Sequence, residues 1–505
     1  MRGRAQQLRQ LSQSGSLIFS FPSTRYLHMS EASFYWHDYE TWGANPQVDR
    51  PAQFAGLRTT LDFEPLQRPL TIYSQPTPDF LPHPQAVLIT GITPQHALAQ
   101  GMNETSFAGK IAQQMSEPNT TIVGYNSIAF DDEVTRHLFY RNFIDPYAHT
   151  WQHNNSRWDL IDVVRACYAL RPEGISWPEN EAGQVSMRLE HLTKANGIDH
   201  GQAHDAMADV YATIGIAKLL KKAQPKLFDY AYNIRRKQAL KPLIDLVNFT
   251  PIVHIAGFYG ADNGYLSLIM PLGFKDDNPN ALVYWNLRQD PRELAQLNAD
   301  QLQQRRFAPR EQRDAAGWGV YGAQQLQLNR CPFLAPRSVL STEVQQRWQL
   351  PLEEMLARAA WLQQQPEFRE RLLASTDSNF QDTGPLDPEL QLYAGEFFSD
   401  QDRSAMAIIR ATEPEQLAAL ELNFSDARLP EMLFRYRARN FPATLNDTEL
   451  QRWRQFCQTR MLEPLPKALS AEQFMVELDQ CASLYADDGR KQRLLKDLYH
   501  YVQNL

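Results

Sequence analysis

From residue 34 to about 224, short apolar runs exchange with helix-like stretches. "SFYWHDYE", "QFAGLRTTLDF" and "LTIYSQ" come first, then the Ala-rich "SFAGKIAQQMS", then "TTIVGYN" leading into "DDEVTRHLFYRNF". Strands exchanging with helices predict an α/β domain with a mixed sheet. "AVLITGI" (86–92) reads as one buried strand. After 224 the texture changes: "PIVHIAGFYG", "YLSLIMPLGF" and "ALVYWNLR", separated by Gly, Asn and Asp turns, predict a small β-rich unit extended by helices around 343–374. "STDSNFQDTGPLDPEL" (375–390) gathers Ser, Asp, Gly and Pro and reads as a linker. Beyond it, "DRSAMAIIRA", "RLPEMLFRYRARNF" and "ELQRWRQFCQTRML" carry helical spacing. The expected organisation is an α/β multidomain chain divided at 31–224, 225–378 and 379–505, without internal repeats.

Length and composition fit that division, since 505 residues at 43% hydrophobic are too many for one core and enough for two or three. No apolar run approaches the roughly 18 residues that cross a bilayer. Four cysteines, far apart and without a C-x-x-C pair, argue against a zinc knuckle or a disulfide framework and fit a reducing, cytoplasmic compartment. Residues 1–30 hold four arginines and no acid; they loosely fit a transit peptide but are read as a disordered or mis-started leader, because Met29 directly precedes "SEASFYWHDYE". The net charge of −8 does not by itself suggest a nucleic-acid partner. One local run does: "KLLKKAQPKLFDYAYNIRRKQALK" (218–241) sets eight Lys or Arg against one Asp.

The acids carry the chemistry. In "FYWHDYETWG" (34–43), Asp38 and Glu40 stand two apart, so in an extended strand they project from one face, about 7 Å from each other. The flanking Phe34, Tyr35, Trp36, Tyr39 and Trp42 show no polar alternation, which predicts a strand covered on both faces. A buried acid pair needs a counter-charge. Asp131 sits where "TTIVGYN" breaks into a helix, and "AHDAMADVYATIGIAKLL" (203–220) adds His204 and Asp209. Five residues leave these two about 140° apart on a helix, so His204 is expected in the incoming loop. Four carboxylates divided between two hard divalent cations, with an imidazole alongside, suit hydrolysis of a phosphodiester. A histidine near neutral pKa can accept the proton of the attacking water.

The D-x-E at Asp38–Glu40, the N-x-x-x-F-D at 126–131 and the H-x-x-x-x-D at His204–Asp209 resemble the three motifs of the DEDDh exonuclease superfamily. Longer strings, among them "GYNSIAFDDEVTRHLFYRNFIDPY", "NSRWDLIDVVRACYALRPEGISWPEN", "LYAGEFFSD" and "FRYRARNFPATL", resemble the bacterial exonuclease I family over nearly all of 31–505. The resemblance implies a ribonuclease H-like exonuclease domain, an SH3-like β-rich middle domain and a helical C-terminal domain in a C-shaped clamp. The implied activity is processive 3′-to-5′ degradation of single-stranded DNA to 5′-mononucleotides, in repair and recombination. The implied cofactors are two Mg²⁺ ions, for which Mn²⁺ can substitute. By motif match Asp38 bridges both ions, Glu40 and Asp209 complete the first site, Asp131 supports the second and His204 is the general base. Glu40 and Arg188 contact substrate, Arg188 near the terminal phosphate. The resemblance further implies a monomer recruited by the acidic tail of single-stranded DNA-binding protein. The sequence departs from the family in its leader and between about 288 and 328.

A basic groove with aromatic faces holds single strands. Candidates for it are Arg136, Trp151, Arg157, Arg165 and Lys237. Two other functions compete, an exoribonuclease trimming RNA 3′ ends and a non-catalytic single-strand-binding scaffold.

Overall fold

The computed structural model describes residues 31–199, 201, 205–377, 386–394 and 396–505. It divides the chain at Met1–Glu31 and Ala32–Leu505, and the fold below is that of the second unit. The leader expected over 1–30 lies outside the described residues.

The first domain is built on a five-stranded sheet of order β3-β2-β1-β4-β5, comprising β1 (Ser33–Thr41), β2 (Pro51–Thr59), β3 (Leu70–Tyr73), β4 (Thr120–Gly124) and β5 (Ser156–Asp159). The β1–β2 and β2–β3 pairs are antiparallel and β1–β4 and β4–β5 parallel, the mixed sheet the pattern predicts. The helices α1 (Pro84–Thr90), α2 (Pro94–Gln100) and α3 (Glu104–Met115) precede β4, and α4 (Asp131–Arg141) follows it. Then come α5 (Leu160–Leu170), α6 (Leu189–Ala195), α7 (Ala206–Ala223) and α8 (Pro225–Ile234). Phe34 and Trp36 on one face of β1 pack with Ala206 and Val210 of α7, while Tyr35 and Tyr39 on the other pack with Val134 and Leu138 of α4. The central strand is therefore covered on both sides, and its two acids emerge where that cover ends.

One element differs from its sequence reading. The 86–92 run is not a strand, since Pro84 to Thr90 is α1. His83 caps it by accepting from the Gln85 N–H, Pro84 supplies the fixed φ of a first turn, and Gly91 ends it at φ 71°. A short apolar run is ambiguous between strand and helix, and the local caps decide it here. Val87 turns toward Phe474, Leu478, Leu495 and Leu498 of the C-terminal domain.

The middle domain holds an all-antiparallel sheet of order β10-β6-β7-β8-β9, made of β6 (Ile252–Ile255), β7 (Leu266–Phe274), β8 (Ala281–Asn286), β9 (Ala323–Gln327) and β10 (Phe333–Pro336). The divergent stretch forms two helices, Ala299–Phe307 and Arg310–Ala315, between β8 and β9. The C-terminal domain is helical, with Asp400–Ala411, Leu429–Asn440, Asp447–Leu462, Ala471–Leu484 and Gly489–Gln503 as its main elements. Among the described residues no helix is long and apolar enough to cross a membrane.

Of the expected linker, 378–385 lie outside the described residues, but its far end is not a solvated tether. Glu389 is buried and, with Asp79, grips Arg439, both at 2.8 Å, while Arg50 bonds Asp79 at 2.9 Å. Arg141 closes the cluster on Glu104 at 2.7 Å. Three carboxylates and three guanidinium groups thus neutralise one another in the seam between the first and last domains. Burial alone would raise the Glu104 carboxyl; Arg141, then Arg50 and Arg439, pull it down to about 2.

Candidate active site

Asp38 and Glu40 lie opposite Ala55 and Gln53 in the β1–β2 ladder, and a register shift follows Glu40. Asp209 is the fourth residue of α7, whose first turn sits over these positions. Gln53 fixes that turn to the sheet: its Oε1 accepts from the Ala206 N–H at 3.2 Å, and its Nε2 donates to the Tyr73 hydroxyl at 3.0 Å. Asp205 caps α7, accepting from the Met207 and Ala208 N–H groups, both at 3.1 Å. Carboxylate oxygens of Asp38, Glu40 and Asp209 come within 4.8 Å of one another. His204 lies outside the described residues; α7 begins after its position, at Ala206.

Asp131 arrives from the other face. The chain leaves β4 at Gly124, where a Cβ would stand 2.5 Å from that of Ser127, and turns through Asn126 at φ 58°. Asp159, at the end of β5, holds this turn by accepting from the N–H groups of Asn126 at 2.8 Å and Ile128 at 3.1 Å. α4 then starts at Asp131 itself.

The electrostatics join all four acids. Burial pushes the Asp38 carboxyl well above the usual range, and Asp131, Glu40 and Asp209 push it further. Burial and then Asp209 and Asp131 push Glu40 up to about 8. Asp131 is raised by burial and by Asp132. The principal charges acting on Asp38 and Glu40 are all negative, so the site stores repulsion that a cation relieves. Its donors are all carboxylate oxygens, which hard divalent ions take. The residues fit such an ion, and the cluster in this domain implies dependence on a divalent metal.

The remaining candidates have other surroundings. Arg188 is exposed and bonds Glu190 at 2.7 Å. Trp151 is 63% exposed. Arg165 bonds Asp162 at 2.7 Å, and Lys237 bonds the Asn280 amide oxygen at 2.9 Å. Arg136 and Arg157, expected in a groove, are buried instead. Arg136 donates to Glu133 at 3.2 Å and to the Tyr393 hydroxyl at 3.0 Å. Arg157 donates to Asp132 at 2.6 Å and to the Asn329 carbonyl at 2.6 Å. Arg136 is thus paired with an acid of its own helical turn, and Arg157 with one 25 positions away in sequence. Sequence reasoning also missed Gln53, Asp205 and Asp159: Gln53 reaches Ala206 across 153 positions and Asp159 reaches Asn126 across 33, and only the D in "SRWDLID", at a strand end before an apolar helix, was a readable signal.

A mixed sheet flanked by helices, with acids from its central strand and two helix starts converging at its edge, defines a metal-dependent exonuclease of the ribonuclease H-like class. Family models agree domain by domain: "Exonuclease" matches residues 35–217, "Exonuclease I SH3-like domain" 235–376 and "Exonuclease I C-terminal domain" 386–505. Exodeoxyribonuclease I of Escherichia coli is 47% identical over 479 residues, 94% of this chain and 98% of its own length; that of Haemophilus influenzae is 41% identical over 473 residues, 94% of this chain and 98% of its own. Among solved structures, a zinc-ion-bound E. coli exonuclease I–single-stranded DNA complex matches at TM-score 0.89 and 46% identity, covering 94% of this chain and 99% of that one. A structure described as SSB/exonuclease I with an inhibitor matches at TM-score 0.85 and 45% identity, with the same coverage. The chain belongs to the exodeoxyribonuclease I family.

Proposed function

We infer that this chain removes 5′-mononucleotides from the 3′ end of single-stranded DNA by phosphodiester hydrolysis, in repair and recombination. The observation that carries the reading is the cluster of Asp38, Glu40 and Asp209 beside Asp131, in a chain aligned over 94% of its length with an exodeoxyribonuclease I. Asp38 would contribute to both ion positions, with Glu40 and Asp209 completing the first and Asp131 supporting the second. Two divalent ions held there would supply the charge that stabilises the attacking and leaving oxygens of the displacement. His204 takes the proton of the attacking water, and Arg188, exposed and reachable, neutralises the terminal phosphate. Mg²⁺ is the working ion and Mn²⁺ its substitute, because the donors are all oxygen.

The exposed Trp151 offers a stacking face and Arg165 and Lys237 the remaining groove charges. The partners are single-stranded DNA and, through its acidic tail, single-stranded DNA-binding protein; the enzyme acts as a cytoplasmic monomer. Three units carry this out, the exonuclease domain to 224, the middle domain to 378 and the helical domain beyond. Neither RNA trimming nor a purely scaffolding role is favoured, since the aligned relatives are exodeoxyribonucleases and the described motif acids are all present.

The test offers end-labelled single-stranded DNA and RNA to the purified protein with Mg²⁺ or chelator. Metal-dependent mononucleotide release from the DNA 3′ end is expected; preference for RNA, or binding without release, would sink the reading.

A further inference from the structure

The first turn of α4 reads Asp131-Asp132-Glu133, and all three are buried. Asp131 faces the other site acids, whereas Glu133 bonds the other two domains directly and Asp132 reaches the middle domain through Arg157. Asp132 accepts from Arg157 at 2.6 Å, and Arg157 in turn donates through Nη2 to the Asn329 carbonyl at 2.6 Å. The Cys331 thiol closes the loop onto the Arg157 carbonyl at 3.2 Å. Glu133 uses both oxygens: Oε1 accepts from Arg330 at 2.9 Å and Arg136 at 3.2 Å, and Oε2 from the Tyr393 hydroxyl at 2.6 Å. Asn329, Arg330 and Cys331 form the turn between β9 and β10, held tight by Cys331 at φ 51°. Tyr393 belongs to the segment that enters the C-terminal domain. One helical turn therefore carries a site carboxylate on one side and the contact points of both accessory domains on the other.

We propose that Glu133 and Asp132 are positioning residues that hold Asp131 in the ion site only while the β9–β10 turn and the Tyr393 segment are docked. This rests on the reading of Asp131 as an ion-supporting carboxylate. The geometry favours it because the displacement permitted to a helix start is set by its fixed neighbours, and groups supporting a metal ligand from behind typically govern metal affinity by about 10- to 100-fold. Docking of the accessory domains and assembly of the second ion position become one event, so a chain whose domains have come apart does not cut.

The test uses the full-length protein with Tyr393→Phe and Arg330→Ala, singly and together; both side chains are partly exposed and neither touches the ion site. Two readouts are taken: the Mg²⁺ concentration for half-maximal turnover on a single-stranded oligonucleotide, and Mn²⁺ binding without DNA by electron paramagnetic resonance. The double variant is expected to need roughly tenfold more Mg²⁺, to bind its weaker Mn²⁺ correspondingly less tightly, and to regain turnover in excess Mg²⁺. Metal dependence and Mn²⁺ binding equal to those of the parent overturn the proposal, as does a loss of turnover that excess Mg²⁺ does not restore. Asp131→Asn is run beside them: if it binds Mn²⁺ as the parent does, the underlying reading of Asp131 fails, whatever the double variant shows.

Discussion

At the scale of single residues, the site is a set of acids held against their own repulsion. Asp209→Ala removes one of three mutually close ligands, and it is expected to lower turnover by at least about 10³-fold while leaving DNA binding in place, read by cleavage and by fluorescence anisotropy. Glu40 makes the stored repulsion measurable. In the metal-free protein burial and Asp209 push its carboxyl from 4.5 up to about 8, so the folded state binds this proton more tightly than the unfolded chain. Its contribution to stability is full below pH about 4.5 and is lost as pH rises through about 8. Metal-free protein should therefore melt at progressively lower temperature across that window, and Mg²⁺ should flatten the slope. Mg²⁺ binding near neutral pH should also release protons, detectable by calorimetry in buffers of different ionisation enthalpy. A flat melting profile without metal would contradict the account of the site. These acids were legible because chemistry fixes their type and a strand or helix fixes their local spacing. The surroundings of Arg136 and Arg157 were not, because a guanidinium near acids in sequence reads the same whether it meets a phosphate or Asp132.

At the scale of elements, strands and helices bring residues far apart in sequence to one edge. β1 and β4 were readable from their apolar runs, and the start of α4 from its chain break, since each is set by its own composition. α1 was not, because seven residues of apolar sequence support either period and the decision lay in Pro84 and Gly91 at its ends. Gln53 could not be read either. Its side chain pins the start of α7 to β2 across more than 150 positions, and no local pattern announces such a bond. Gln53→Leu keeps the volume and removes the bonds to Ala206 and Tyr73. Turnover should fall by roughly 10²-fold, as a misplaced catalytic group costs, with little change in DNA affinity. An unchanged rate would mean that α7 is held by its apolar packing alone.

At the scale of the whole molecule, all three units meet on one helix, and the first and last also share one buried ion cluster. Helical, β-rich and α/β textures were visible in the sequence, but not the seam between the first and last domains, because Arg439 meets Asp79 across 360 positions. Arg439 is fully buried, and replacing it by Met leaves the three buried carboxylates of the seam with only Arg50 and Arg141, so one buried charge loses its match. The expected loss is about 3–5 kcal/mol, read by chemical denaturation. Glu104 ties the seam to pH with the opposite sign to Glu40: its carboxyl is held at about 2 against 4.5 in an open chain, so its contribution is present above pH about 4.5 and lost as pH falls through about 2. Both limbs converge on one picture, a site that repels itself until a cation enters, inside a frame whose own charges are already matched. The most direct check is the digestion of 5′-labelled single-stranded DNA by the parent and by Asp38→Asn, with Mg²⁺ and with chelator. The account predicts stepwise shortening from the 3′ end only for the parent with metal, with Asp38→Asn still binding DNA; shortening at equal rates by Asp38→Asn, or by the parent in chelator, would contradict it.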